Sequence, residues 1–174
     1  MALLITGVAC TEDNGGVVQS ARTTITTTTV SVSSPVRAGR TPVAGFGQVG
    51  YRISTMPGAA RCALLAETSA QQEQGLMNRT DLAGFDGMLF VFASPVTYGF
   101  WMKDTPLPLS IAFFDASGRF VSSTDMAPCI GRGDSCPSYA AAGAYKFALE
   151  VAQGGLGALG IGPGSVLTSG GACT

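Results

Sequence analysis

The chain has no histidine among its 174 residues, and that one absence removes a wide range of enzyme chemistry. Ser-His-Asp and Cys-His nucleophile arrangements, H-E-x-x-H zinc sites and facial-triad iron sites all need an imidazole. So does the commonest route of proton transfer near neutral pH. Any catalysis would fall to carboxylates, Lys, Tyr or Cys with displaced pKa values. Charge is scarce as well: Asp, Glu, Lys and Arg make up 12% of the chain, about half the usual share. The net charge is −1, with four Arg against Glu12 and Asp13 in residues 1–60, and six basic against nine acidic side chains in residues 61–174. Neither part has the basic surplus that a phosphate backbone attracts, so the composition disfavours nucleic acid as a partner. Long apolar runs are also missing: the seven-residue stretch 3–9 is too short to span a bilayer as a helix. What remains is a chain with 46% apolar residues, enough for a real core, and a length that suits one domain plus tails.

Residues 1–10 read as a partial export signal. Leu3-Leu-Ile-Thr-Gly-Val-Ala9 is apolar, a small residue precedes Cys10, and polar Thr11-Glu-Asp-Asn-Gly-Gly16 follows. This is the pattern of a lipoprotein signal, with Cys10 as the lipidated residue, although a basic leading region is missing and Gly7 stands where Leu is usual. The expectation is an exported protein, secreted or held at the cell envelope, that meets the membrane only through a lipid anchor. Residues 11–48 read as a Thr/Ser/Pro/Gly-rich linker. Thr23-Thr-Ile-Thr-Thr-Thr-Thr29, Ser33-Ser-Pro35 and Thr41-Pro42 lack the apolar residues to offset chain entropy. One extra strand over 25–32 is the alternative, since Thr and Val favour β structure.

Four further cysteines are Cys62, Cys129, Cys136 and Cys173. Cys129 and Cys136 bracket a short polar loop, and in an exported protein they predict a disulfide. A four-cysteine zinc site is the rival, weakened by the missing C-x-x-C spacing. A Cys62–Cys173 tie would join the first strands to the C-terminus. No metal and no cofactor is expected.

The folded domain is expected over residues 49–170. Val49–Thr55, Cys62–Glu67, Gly87–Phe92, Tyr98–Lys103, Leu109–Phe114, Arg119–Ser123, Tyr145–Val151 and Ser165–Thr168 read as strands. A short helix follows Ser69, capped by Ser69 with Gln72 or Glu73, and Leu156–Leu159 reads as one helical turn. Asp115-Ala-Ser-Gly118 makes a hairpin of its flanking strands. Short strands at this spacing predict a mainly all-β fold, a jelly-roll-like sandwich or small barrel with one or two short helices.

Five phrases carry a resemblance: Gln74-Gly-Leu-Met-Asn-Arg79, Gly87-Met-Leu-Phe-Val-Phe92, Phe100-Trp-Met-Lys-Asp-Thr105 with Pro108-Leu-Ser-Ile-Ala-Phe113, Cys136-Pro-Ser-Tyr139, and Tyr145-Lys-Phe-Ala-Leu-Glu150. In this order and spacing the chain resembles the bacterial and archaeal family called domain of unknown function 192. The resemblance implies a compact jelly-roll-like β fold, often behind an export signal, and no particular activity. Two positions depart from the family pattern: Asp104 replaces the usual Asn, and Ser110 replaces an Asp. A role that needs a carboxylate at position 110 is therefore not carried over.

Strand alternation over Phe100–Thr105 places Trp101, Lys103 and Thr105 on one face and Phe100, Met102 and Asp104 on the other. A Trp beside Lys and Thr is not core-like, and its ring offers a stacking platform. Arg79 presents a fork suited to a carboxylate. Glu150 sits inside an apolar phrase and, if buried, calls for a cation, with Arg79 or Lys103 as the expected partner. Arg79, Trp101, Lys103, Asp104 and Glu150 are thus the ligand-binding candidates. The leading expectation is an envelope module that binds a small polar, saccharide-like ligand. The alternatives are a carbohydrate-active hydrolase or lyase using Asp104 and Glu150, and a structural or partner-binding lipoprotein with no small-molecule site.

Overall fold

The computed structural model describes residues 39–58 and 60–173, all within one compact unit, Arg37–Thr174. The segment 1–10 with Cys10, most of the expected linker, and the alternative strand at 25–32 lie outside the described residues. Nine strands are described: β1 (Gly47–Ile53), β2 (Arg61–Ala66), β3 (Gly87–Val96), β4 (Gly99–Trp101), β5 (Leu109–Phe114), β6 (Phe120–Met126), β7 (Ser138–Ala140), β8 (Tyr145–Ala152) and β9 (Leu167–Ser169). One α-helix, α1 (Ser69–Gln74), joins β2 to β3. The protein is mainly β, as the sequence predicts, and consistent with a barrel or sandwich.

Seven strands form one sheet in the order β6-β5-β8-β3-β2-β1-β9, and β4 pairs with β7 in a separate ribbon. Every neighbouring pair is antiparallel except β2 with β3. The connection through α1 permits that parallel pair, because a parallel return needs a crossover of a dozen or more residues. An isolated bridge, Arg119 to Val166, brings the chain before β6 to the chain before β9. The two edges of the sheet therefore approach each other, and the sheet curls into a half-barrel.

The alternating pattern divides the core in two. Leu64, Met88, Phe90, Ile111, Phe113 and Ala148 project from one face, and Ala63, Leu89, Ala112, Phe114, Leu149 and Val151 from the other. The central strands are buried on both faces, so β3, β5 and β8 read as near-continuous apolar runs. Tyr51 and Ile53 of β1 and Leu167 of the edge strand β9, with Leu159 and Ile161, cover the second face. Leu76, Met102, Cys129 and Cys136 cover the first.

Local departures from the sequence reading have simple causes. The helix cap is Thr68 rather than Ser69: Thr68 is extended, its side chain accepts from the Gln71 N–H, and the Gln71 side chain accepts from the Thr68 N–H. Residues 41–46, inside the expected linker, pack on the domain. The Thr41 N–H donates to the Ala83 carbonyl at 3.0 Å, and Val43 and Phe46 join the first core. Cys62 and Cys173 are free thiols, not a covalent tie. They do meet by a side-chain hydrogen bond, and burial, followed by that bond, pushes the Cys173 thiol up to about 11.

Candidate functional site

A cavity of about 560 Å³ opens on the first face of the sheet, between α1, β3, β4 and β8. Its size is that of a small-molecule pocket. Ser69, Gln72 and Glu73 of α1 form one wall, and Leu76 and Met77 continue it. The helix is tied to the sheet where Gln72 Nε2 donates to the Val91 carbonyl at 2.9 Å. Gly75, with φ +46, lets the chain turn sharply off the helix, and Leu76 is buried just beyond. Much of the remaining lining is aromatic: Phe90, Phe92, Tyr98, Phe100, Trp101 and Tyr145. The Phe and Tyr rings among them pack edge-on or tilted, with Phe90 to Phe100 at 4.8 Å and Phe92 to Tyr145 at 5.5 Å between centroids. The Tyr145 hydroxyl donates to the Tyr98 carbonyl at 2.9 Å. Burial, with a smaller contribution from Tyr98, pushes its pKa up to about 12, so Tyr145 stays a neutral donor.

The rim is built by β4 and the disulfide loop. Trp101, Lys103 and Thr105 all line the cavity, but so does Phe100, which strand alternation puts on the other face. The chain turns at the left-handed Asp104, where the Thr105 N–H donates to the Met102 carbonyl. Trp101 Nε1 donates to the Cys136 carbonyl at 3.0 Å, leaving the ring 39% exposed at the mouth. Lys103 Nζ lies 4.8 Å from the Trp101 ring centroid and 3.0 Å from Asp134 Oδ1. Asp134 belongs to the loop closed by the Cys129–Cys136 disulfide. Cys129 itself bridges to both Lys103 and Thr105. The crosslink therefore holds the backbone that presents Trp101 and Lys103. Replacing both Cys129 and Cys136 by Ser is expected to cost about 2 kcal/mol for so short a loop. It should also shift Trp101 emission to the red as the Nε1 bond loosens. Thermal unfolding followed by fluorescence checks both, and an unmoved emission maximum would detach the crosslink from the rim.

Glu150 stands at the base. It is the central residue of a three-strand register, between Met88 of β3 and Ile111 of β5, both fully buried. The residue is 5% exposed and lines the cavity. Among the described residues it has neither a hydrogen bond nor an ion pair. Burial alone raises its pKa from 4.5 to about 8, so the group is neutral at pH 7.

The expected partners of Glu150 are engaged elsewhere. Arg79 pairs with Asp81 Oδ1 at 3.3 Å and donates to the Asp81 carbonyl through Nε. It faces a second groove with Val43, Phe46 and Asn78, on the other side of the helix end. Sequence neighbours win here because Asp81, two residues away, costs little chain entropy to reach. Lys103 is drawn to Asp134 and the Trp101 face. The structure thus joins Trp101, Lys103 and Glu150 in one cavity and separates Arg79 from them.

Asp104 does not line either pocket. Its backbone is left-handed, φ +51, and its carbonyl accepts from the Asn78 N–H at 2.7 Å. Asn and Asp adopt this conformation more readily than other side chains, which accounts for the Asn usual at this position in the family. Asp104→Asn should leave stability unchanged, whereas Asp104→Val should cost about 1–2 kcal/mol. Urea denaturation of the two variants checks this, and equal losses in both would instead assign the carboxylate a role of its own. Ser110 lies on the opposite face of β5 from Glu150. Its hydroxyl donates to Asp125 Oδ1 on β6 and accepts from the Gly154 N–H at 2.8 Å. The carboxylate missing at position 110 is thus supplied by the neighbouring strand, away from the cavity.

The family model for domain of unknown function 192, described as an uncharacterised ACR, matches residues 53–169. The chain belongs to this family. Two solved structures are similar. One, from Sinorhizobium meliloti 1021 and proposed as a transcription regulator, shares 27% identity at a TM-score of 0.61, covering 74% of this chain and 98% of that one. The other, a protein of unknown function from Novosphingobium aromaticivorans DSM 12444, shares 30% identity at a TM-score of 0.59, covering 75% and 91%. No curated protein sequence matches.

Proposed function

We propose that this domain is a small-ligand-binding module of the cell envelope, exported and anchored through Cys10, whose cavity takes a saccharide-like ring at the Trp101 rim. The observation that carries the reading is the cavity of about 560 Å³ that gathers Trp101, Lys103 and Glu150. An aromatic wall with a few converging polar groups is the usual make-up of a small-molecule site. Gln72, Thr105 and the Tyr145 hydroxyl add polar contacts around the rings.

A hydrolase using Asp104 and Glu150 has less support, because paired carboxyls must flank one bond and, of the two, Glu150 alone lines the cavity. The regulator proposal attached to the Sinorhizobium protein is not carried over, since a net charge of −1 is no basic surplus for a phosphate backbone.

The test uses the full chain, oxidised, with Trp101 as the only tryptophan. Its fluorescence is followed during titration with mono- and disaccharides and peptidoglycan fragments, alongside Lys103→Ala and Gln72→Ala. A saturable change that weakens in both variants supports the reading. No response to any of these ligands, with both variants less stable than wild type, overturns it in favour of a structural or partner-binding lipoprotein.

A further inference from the structure

We infer that the ligand of this cavity carries a protonated amine, and that this amine pairs with the carboxylate of Glu150. The inference rests on the reading that the cavity holds a small ligand, and it names the chemistry of the inner end. Glu150 is 5% exposed, faces the cavity, and has no partner among the described residues. A buried acid without a partner is a standing cost, which a cation removes. The remaining wall suits a cation too, because the π faces of Trp, Tyr and Phe attract ammonium groups.

The charge around the cavity points the same way. The ionisable side chains that line it, besides Glu150, are Glu73 from α1, Lys103 after β4, Tyr98 before β4, and Tyr145 on β8 itself. The neighbouring strands β3 and β5 present only Met88, Phe90 and Ile111 beside Glu150. Lys103 is already paired with Asp134, and Tyr145 is neutral with a pKa of about 12. The balance left for a ligand is acidic. An anion would have to displace Asp134 from Lys103, whereas an ammonium meets an unpartnered carboxyl. On pairing, the Glu150 O–H releases its proton to solvent and the resulting carboxylate accepts hydrogen bonds from the ligand N–H groups. No other bond changes. Binding therefore releases up to one proton and tightens as pH rises from about 6 to about 8 while the amine stays charged.

Matched probes isolate the amine: glucosamine against glucose, and benzylamine against benzyl alcohol. Each is titrated into the full chain at pH 7, by calorimetry in phosphate and by pH-stat in unbuffered salt, which reads proton release without an amine buffer that would compete for the site. At least one amine should bind about ten-fold or more tightly than its neutral partner, with proton release, and Glu150→Gln should erase that preference. If glucose binds as well as glucosamine and benzyl alcohol as well as benzylamine, the pocket reading stands and the amine is overturned. If benzylamine alone binds, through Glu150, the saccharide reading falls and the amine stands. If neither amine binds, the inference is overturned.

Discussion

Glu150→Gln is expected to make the protein more stable at neutral pH, by an amount that depends on pH. In the unfolded chain the Glu150 carboxyl ionises near 4.5, while in the folded protein burial holds its proton on up to about 8. Between these values the folded state binds a proton that the unfolded state has released. Stability therefore falls as pH rises through this window, by about 1.4 kcal/mol per pH unit. Below the window both states are protonated and Glu150 costs nothing through ionisation. Above it both are ionised and the cost no longer grows. Gln keeps the shape and has no such titration. The two proteins should match near pH 4.5 and differ by about 3 kcal/mol at pH 7, with the Gln variant the more stable. Urea denaturation of both at pH 4.5, 6, 7 and 8.5 measures the difference, and comparing the pair cancels every other titrating group. A constant difference across this range would mean that Glu150 is ionised in the folded protein, with a partner or with water. That result would remove the unpartnered carboxyl on which the ligand chemistry depends.

The sequence shows why some of this can be read in advance. Strand alternation needs only local backbone geometry and puts Trp101 and Lys103 at the cavity, but Phe100 lines it too. Beyond β4 the alternation breaks: Asp104 is left-handed, the Thr105 N–H donates back to the Met102 carbonyl, and Lys103 and Thr105 bridge Cys129 in opposite senses. The Cys129–Cys136 crosslink is equally local, with the two residues seven apart. Glu150 can be flagged from its apolar phrase, but its lack of a cation cannot. Whether Arg79 or Lys103 reaches it depends on which carboxylates stand nearer, and Asp81 and Asp134 are each set by loop conformation. Asp134 sits in a Gly-rich loop with no periodic signal, so nothing in the sequence marks its role at the rim. Phe92, Tyr98 and Tyr145 are likewise missing from the sequence-derived candidates. They come from three segments that meet only once β3 and β8 pair across a register shift between Val91 and Val96. The two-residue spacing of Phe90 and Phe92 is an available signal that both rings face the same side. The parallel β2–β3 pair is a matter of sheet order, for which a single sequence carries no local mark.

Gly87→Ala is expected to be among the most damaging single substitutions in the domain, for a reason that also bears on the site. Gly87 opens β3, paired to Ala63 of β2 on one side and lying against β8 on the other. A Cβ at this position would stand 2.2 Å from the Glu150 carbonyl oxygen and 3.0 Å from Val151 Cγ1. The first of these is backbone, held by the central β3–β8 and β5–β8 ladders, so it cannot swing aside as a side-chain tip would. Relief requires β3 and β8 to separate where Glu150 enters the cavity. Overpacking of a well-filled core costs about 1–3 kcal/mol, and the loss here should lie at the upper end, about 3 kcal/mol. Denaturant unfolding measures it, and a change within about 0.5 kcal/mol of wild type would show that the two strands have slack at this point. The same displacement would widen the space around Glu150, which lines the cavity. When Glu150→Gln is made on top of Gly87→Ala, the pH-dependent stability difference it produces should therefore shrink, as the carboxyl moves back towards its ordinary range. Gly87 thus couples the β3–β8 packing to the backbone that places Glu150 in the cavity.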